Sequence, residues 1–189
     1  ILERVQKEIL EPTVRALAQE GRPYRGVLYA GLMLTDVGPK VVEFNCRLGD
    51  PEAQVVLPRL AGDWLAVFDA LADGRLHEVR LEWRREAAVC VVLASKGYPG
   101  DYETGFPIHG LEDAAAEPGV VVFHAATRRA GDEFVTAGGR VLAVTALGDD
   151  LAAARERAYR AAGLIRFEGM HYRRDIAKSA LTVSSSGDT

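Results

Sequence analysis

The 189-residue sequence contains only two cysteines, Cys46 and Cys90, and neither stands in a CxxC pair or beside a histidine. A structural zinc site is therefore not predicted. Both cysteines occur in apolar, strand-like segments, where a free cysteine acts as a small core residue. We interpret this cysteine usage as that of a protein from a reducing, cytoplasmic setting.

The sequence also has no long apolar run and no excess of positive charge. No stretch reaches the roughly 20 apolar residues that span a membrane, and we expect no signal peptide. Lys and Arg number 23 against 27 Asp and Glu, which gives a formal net charge of -4. Because the basic residues are also scattered, we expect neither nucleic acid nor a membrane among the partners.

The chain begins at Ile1 rather than at a methionine, and helical periodicity starts at once. Ile1, Val5 and Ile9 mark one apolar side. The pattern predicts a helix over residues 1–19, kinked or divided at Pro12. We expect the sequence to be a fragment or processed piece of a longer protein.

A β-hairpin is predicted next. The strand over residues 24–36 has no polar face, so it should be central or covered on both sides. Residues 36–39 form the turn, and a second strand runs over 40–47. Gly31 inside the first strand indicates a bulge, a close ligand approach or packing against a neighbour.

Two helices follow, one capped by Asp50 and interrupted at Pro58, the other capped by Asp63 and ending at Gly74. Charged residues 77–85 form a candidate boundary. The pattern after residue 85 predicts a β-rich module with strands over 87–94, 120–125, 133–136 and 140–147. A loop-rich segment over 101–118 contains a possible short strand at 106–109, and a hairpin turn at 137–139 joins the last two strands. A helix is predicted from Asp149 or Asp150 to Ala162, with Gly163 ending it.

The second hairpin strand carries the residues of greatest chemical interest. Alternation places Glu43, Asn45 and Arg47 on one face and Val42, Phe44 and Cys46 on the other, facing a core. Carboxylate and amide oxygens two residues apart suit Mg2+, and an arginine beside them can bind phosphate. The alternative is the polar outer face of an edge strand.

Two segments closely resemble the end of the ATP-grasp domain of the glycinamide ribonucleotide synthetase (phosphoribosylamine–glycine ligase) family. They are Arg25 to Met33 and Glu43 to Gln54, and the second contains the run Arg-Leu-Gly-Asp-Pro-Glu-Ala-Gln. The resemblance continues through residues 93–102, 108–111, 123–125, 138–142 and 172–177. It implies an α+β chain, with the C-terminal part of an ATP-grasp domain over 1–76. A small β-rich domain, rudiment- or barrel-sandwich-like with a packed helix, would follow over 86–181. The resemblance does not cover residues 182–189, whose polar, Ser-rich composition predicts a disordered tail.

The resemblance also implies an activity. In this family ATP phosphorylates glycine, and the amine of 5-phosphoribosylamine displaces phosphate to give glycinamide ribonucleotide, a step of purine biosynthesis. Glu43 and Asn45 would be the Mg2+ (or Mn2+) ligands, and Arg47 would act on the ATP phosphates and the transferring phosphoryl group. Asp50 and Glu52 would orient the glycine ammonium. The structural alternative for Arg47 is an ion pair with Asp50 or Glu52. The structural alternative for the two acids is a position at the start of a helix, where negative charge is favourable.

Several further readings stay open. The chain would need the missing N-terminal half of the enzyme as its partner, and we expect it to lack full activity alone. The alternative functions are those of another ATP-grasp carboxylate–amine ligase, a piece of a biotin-dependent carboxylase, or a non-catalytic binding domain. The loop at Lys96, Gly97 and Tyr98 either closes over a ligand or is an ordinary turn.

Overall fold

The computed structural model describes residues 1–184, which form two compact units. Unit 1 comprises Ile1–Asp50 and Gly62–Glu82, and unit 2 comprises Pro51–Ala61 and the chain from Trp83 onward. Both contain helices and small antiparallel sheets, as the sequence predicts. Residues 185–189 of the predicted disordered tail lie outside the described residues.

Among residues 1–184, no helix has the length and apolar character required to cross a membrane.

Unit 1 begins with the predicted helix, which is built from three segments. Helix α1 (Leu2–Val5) and helix α2 (Glu11–Gln19) are joined by a π-helical turn, Gln6–Leu10. Pro12 lies in the first turn of α2. Proline lacks an amide hydrogen and its ring crowds the carbonyl four residues earlier, so the wider π-helical turn before Pro12 accommodates the ring without ending the helix.

Strands β1 (Tyr29–Thr35) and β2 (Gly38–Asn45) form the predicted antiparallel hairpin. The predicted burial is wrong. Val42 is 66% exposed and Phe44 40% exposed, and Met33 and Leu34 of β1 are exposed as well. A strand face becomes buried only when another layer packs on it, and within residues 1–184 this sheet has two strands.

The second helix of unit 1 agrees with its prediction. Helix α4 (Trp64–Ala72) begins after Asp63, whose Oδ1 accepts hydrogen bonds from the amides of Leu65 and Ala66 at 2.8 and 3.4 Å. Gly74, with φ +74°, ends the helical region, and a 3-10 turn follows at Leu76–Glu78.

Unit 2 opens with a short helical segment and contains a three-stranded sheet. Its first elements are helix α3 (Ala53–Val56), a 3-10 turn (Leu57–Arg59) and strand β3 (Leu60–Ala61). Pro58 lies in the 3-10 turn. Strand β4 (Glu82–Trp83) comes after α4 in the chain. The sheet has the order β5-β9-β6, from β5 (Ala87–Ala94), β6 (Val120–His124) and β9 (Arg140–Gly148).

The pairing of the strand at residues 133–136 differs from the prediction. Strand β8 (Glu133–Thr136) pairs with β7 (Thr127–Ala130), not with β9, and β7 was not predicted. Gly138 and Gly139 form a connection that packs against other segments, since the Gly138 carbonyl accepts a hydrogen bond from Ser95. Helix α5 (Leu111–Ala116) lies within the segment predicted as loop, which also makes isolated bridges at Pro107 and His109.

Helix α6 (Leu151–Leu164) packs on the β5-β9-β6 sheet and completes the core of unit 2. Its buried positions are alanines, which let the helix backbone approach the sheet closely; they are Ala154, Ala158, Ala161 and Ala162, all fully buried. Gly163 lies inside the helix and does not end it as predicted. A last helix, α7, covers Lys178–Ser184.

The start of α6 provides a test of the fold. Asp150 Oδ1 accepts a hydrogen bond from the Ala153 amide at 2.7 Å. We predict that Asp150→Ala lowers the free energy of unfolding by about 1 kcal/mol, because an N-terminal amide loses its acceptor. Urea denaturation followed by circular dichroism measures this change. Asp149→Ala is the control and should have little effect; equal losses in both variants would contradict the cap assignment.

Candidate metal–phosphate site

Glu43 and Asn45 lie at the end of β2 and share one face of the hairpin. Glu43 pairs with Gly31 of β1 and Asn45 pairs with Tyr29. Asn45 Nδ2 donates a hydrogen bond to Glu43 Oε1 at 3.0 Å. The structure therefore brings together the carboxylate and the amide that the sequence predicts as metal ligands.

A β-bulge precedes this pair. Gly31 pairs with Glu43, but the next residue, Leu32, pairs with Val41, so Val42 has no partner in the ladder. A bulge bends the strand and increases its twist, and it re-aims the neighbouring side chains. Strict alternation therefore does not hold along the whole of β2.

Gly31 leaves room for the Glu43 side chain. A Cβ atom at position 31 would lie 3.0 Å from Glu43 Cγ and 3.7 Å from Glu43 Oε1. The backbone of Gly31 is not in the positive-φ region, so the glycine is explained by space rather than by its dihedral angles. Of the readings open for Gly31, the structure shows a bulge and packing against a neighbouring strand, at Glu43.

Arg47 follows the strand instead of extending its face. Strand β2 ends at Asn45, and the Arg47 guanidinium donates to the Leu48 carbonyl at 2.9 Å through Nη1. Among the described residues Arg47 forms no ion pair, so the alternative in which it pairs with Asp50 or Glu52 is not observed. Its side chain is exposed and can bind an anion.

Asp50 and Glu52 lie in different units. Asp50 ends the first stretch of unit 1, and Glu52 belongs to unit 2. The predicted cap at Asp50 is wrong, because α3 begins at Ala53 and Glu52 is the residue before it. The Glu52 carbonyl accepts from the amides of Val55 and Val56 at 3.0 and 2.9 Å, and no side chain caps this helix.

Cys46 also departs from the prediction. It is exposed, whereas Cys90 is buried in β5 as predicted. Partial burial raises the pKa of the Tyr24 hydroxyl above its ordinary value, and a hydrogen bond with Cys46 adds to the increase. The Tyr24 hydroxyl also donates to the Val27 carbonyl at 2.9 Å.

The Glu43–Asn45 pair fits a hard divalent cation. Octahedral ligands at about 2.1 Å from Mg2+ place neighbouring oxygens about 3 Å apart, which matches the spacing of the two side chains. A half-turn of the Asn45 amide exchanges its nitrogen and oxygen. In the described part of the chain no three His, Cys, Asp or Glu side chains are close enough to hold a metal ion. The chain therefore offers two donors.

Comparison with protein families places these residues in context. The family model described as "Phosphoribosylglycinamide synthetase, ATP-grasp (A) domain" matches residues 1–53, and "Phosphoribosylglycinamide synthetase, C domain" matches residues 88–179. The chain belongs to the phosphoribosylglycinamide synthetase family. This confirms the resemblance seen in the sequence, and Glu43 and Asn45 lie within the ATP-grasp match.

Curated relatives agree with this family. The chain is 52% identical to a phosphoribosylamine–glycine ligase of Caldanaerobacter subterraneus over 93% of this chain and 42% of the relative. It is 50% identical to the phosphoribosylamine–glycine ligase of Rhodopirellula baltica, over 97% of this chain and 42% of the relative. The chain thus spans less than half the length of the phosphoribosylglycinamide synthetase relatives that it matches.

Solved structures show the same relationship. A crystal structure of phosphoribosylamine–glycine ligase from Thermotoga maritima superposes with a TM-score of 0.76 at 36% identity, over 92% of this chain and 42% of that one. A long-chain acyl-CoA carboxylase shares only the fold, with a TM-score of 0.59 at 19% identity, over 90% of this chain and 19% of that one. The fold alone therefore does not separate this family from carboxylases, whereas the identity does.

Gly31 gives a test of the site geometry. We predict that Gly31→Ala displaces the Glu43 side chain and weakens Mn2+ binding several-fold, because the added methyl group lies against Glu43 Cγ. Electron paramagnetic resonance of free Mn2+ measures the affinity. Gly163→Ala, at an open position of helix α6 without a positive φ, is the control. Unchanged Mn2+ affinity in Gly31→Ala would show that Glu43 does not depend on this space.

Proposed function

We propose that this chain is the part of a phosphoribosylamine–glycine ligase that holds a divalent metal ion against the phosphates of ATP. The enzyme joins glycine to 5-phosphoribosylamine and forms glycinamide ribonucleotide, ADP and phosphate through glycyl phosphate, in purine biosynthesis. The observation that carries this proposal is the Glu43–Asn45 pair, 3.0 Å apart opposite Gly31, inside the segment matched by the ATP-grasp model.

Glu43 and Asn45 are the proposed ligands of Mg2+, with Mn2+ as a substitute. Held by these two residues, a divalent metal ion would supply positive charge against the ATP phosphates during phosphoryl transfer. Glu43 would supply a negatively charged oxygen, and Asn45 would supply a neutral oxygen. Strand β1 contains no acidic residue, and the residue paired with Glu43 is Gly31. Water and nucleotide oxygens fill the other metal positions, as is usual for Mg2+ in nucleotide sites.

Arg47 is the proposed catalytic and phosphate-binding residue. Its guanidinium lies two residues beyond Asn45, is exposed and has no carboxylate partner among the described residues. The planar fork of arginine matches two phosphate oxygens at once and remains charged at every physiological pH. These properties suit a group that stabilises charge on a transferring phosphoryl group.

Asp50 and Glu52 are the proposed residues that orient the ammonium of glycine. The proposal rests on the family segment in which both residues occur. A carboxylate near an amino acid substrate fixes its ammonium by a charge-assisted hydrogen bond.

The proposal also covers organisation. We infer an ATP-grasp part over 1–76, a β-rich domain over 86–181 of rudiment- or barrel-sandwich-like type, and a tail over 182–189. The β5-β9-β6 sheet and the β7–β8 hairpin support the β-rich domain. Because the chain spans about 42% of its relatives, we propose the N-terminal half of the enzyme as its partner and expect full activity to require that half. We also propose a cytoplasmic setting, on the basis of the cysteine usage.

Nucleotide binding tests the proposed metal role. We predict that Glu43→Gln weakens Mg2+-dependent binding of ADP to the 189-residue chain by at least about tenfold, because an interaction with a charged group contributes about 1.5–3 kcal/mol. Isothermal titration calorimetry with and without Mg2+ measures the effect.

Asp36→Asn in the hairpin turn is the matched control, since it removes one exposed carboxylate from the same unit. ADP binding that depends on Mg2+ and is equal in both variants would contradict the role of Glu43. Circular dichroism of each variant verifies that the hairpin and helices remain folded.

A further inference from the structure

The partner strand holds the metal–phosphate strand only as far as Asn45. The β1–β2 ladder ends at the Tyr29–Asn45 pair, and β2 ends at the same residue. Cys46 and Arg47 lie beyond the ladder, in a bend. The ladder therefore fixes Glu43, whereas the direction in which Arg47 leaves the sheet depends on other contacts of the residues that follow Asn45.

Tyr24 supplies such a contact. This half-buried residue precedes β1, and its hydroxyl donates to the Val27 carbonyl at 2.9 Å. The same hydroxyl forms a second hydrogen bond, with the Cys46 side chain. A phenol has one hydrogen, which is donated to Val27, so in the second bond the Cys46 thiol donates to Tyr24 Oη. One hydroxyl thus joins the chain before β1 to the residue that stands between Asn45 and Arg47.

Gly26 makes this position of the tyrosine possible. The Tyr24 side chain folds back over Gly26, since a Cβ atom at position 26 would lie 2.8 Å from Tyr24 Oη and 3.1 Å from Tyr24 Cζ. Gly26 also has φ +150°, a backbone conformation that is strained for residues with a side chain. The glycine is therefore needed both for space and for conformation, and it lets the turn carry the phenol to Cys46.

Arg25 holds the other side of the same turn. Its guanidinium lies against Gly74, where a Cβ atom would be 3.1 Å from Arg25 Cζ. Gly74 follows the last residues of helix α4, and the partial negative charge at a helix C-terminus favours a guanidinium. The turn at residues 24–26 is thus placed against α4 on one side and bonded to Cys46 on the other.

We propose that Tyr24 is a positioning residue for the metal–phosphate site. By holding Cys46, its hydroxyl orients Asn45 and Arg47, which flank that cysteine, while Glu43 keeps its place through the ladder. Tyr24 acts through these residues and contacts neither metal nor nucleotide. The consequence for ADP binding rests on the proposed function, whereas the effect of Tyr24 on the placement of Asn45 and Arg47 does not.

Nucleotide binding by the 189-residue chain is the first test, with ADP and Mg2+ as the probe in isothermal titration calorimetry. Tyr24→Phe keeps the ring and removes the hydroxyl, and we expect it to weaken Mg2+-dependent ADP binding about three- to tenfold, the effect of a lost neutral hydrogen bond. A tyrosine that only stabilised the fold would lower the urea midpoint and leave the affinity of the folded chain unchanged. Tyr102→Phe, at an exposed tyrosine of unit 2, is the control.

Cys46 variants test whether Tyr24 acts through the thiol. Cys46→Ala removes the donor and should weaken Mg2+-dependent ADP binding about threefold, whereas Cys46→Ser keeps a donor and should restore the affinity. Tyr24→Phe and Cys46→Ala break the same hydrogen bond. The double variant should therefore bind about as well as Tyr24→Phe alone.

Nuclear magnetic resonance of the 15N-labelled chain without ligand gives a result that does not depend on nucleotide binding. Tyr24→Phe should shift the Asn45 side-chain amide and the Arg47 backbone amide and leave the Gly31 amide, opposite Glu43, unchanged. Unshifted signals of Asn45 and Arg47, equal Mg2+-dependent ADP affinity in Tyr24→Phe and the unmodified chain, or additive losses in the double variant would overturn the proposal. Shifts at Asn45 and Arg47 without Mg2+-dependent ADP binding in any sample would support the positioning role and refute the proposed function.

Discussion

Two side chains can occupy neighbouring positions around one Mg2+ ion when their donor atoms lie about 3 Å apart, and the β1–β2 ladder holds two side chains at this spacing. Glu43 and Asn45 are two residues apart on one strand, and their cross-strand partners are Gly31 and Tyr29. The missing side chain at position 31 gives Glu43 its space, and the bulge at Val42 sets its direction. The proposed metal and phosphate roles all depend on this small piece of sheet.

Unit 2 supplies a different physical property, rigidity. Its helix α6 places four fully buried alanines on the sheet, and β9 lies between β5 and β6 with Leu142 and Val144 fully buried. A close-packed core of this kind has low compressibility. Loops that are hydrogen-bonded to this core through buried residues such as Ser95 and Thr136 are therefore held in fixed positions.

The sequence predicted local features well and tertiary environment poorly. The caps at Asp63 and Asp150 and the strand over 87–94 depend on nearby residues, and the structure contains all three. The predicted burial of Val42 and Phe44 is wrong because burial depends on what packs against the hairpin, which no local pattern reveals. The Glu43–Asn45 pair was predictable from spacing, whereas the pairing of β8 with β7 depends on tertiary contacts that the local sequence did not indicate.

The central claim is that Glu43 and Asn45 bind one metal ion together with a nucleotide. Paramagnetic broadening by Mn2+ in the presence of ADP tests it most directly on the 15N-labelled chain. The account predicts that the Asn45 side-chain amide and the Gly31 backbone amide broaden at substoichiometric Mn2+, and that Glu43→Gln removes the effect. Broadening confined to other acidic surfaces, with the signals of Asn45 and Gly31 unaffected, would contradict it.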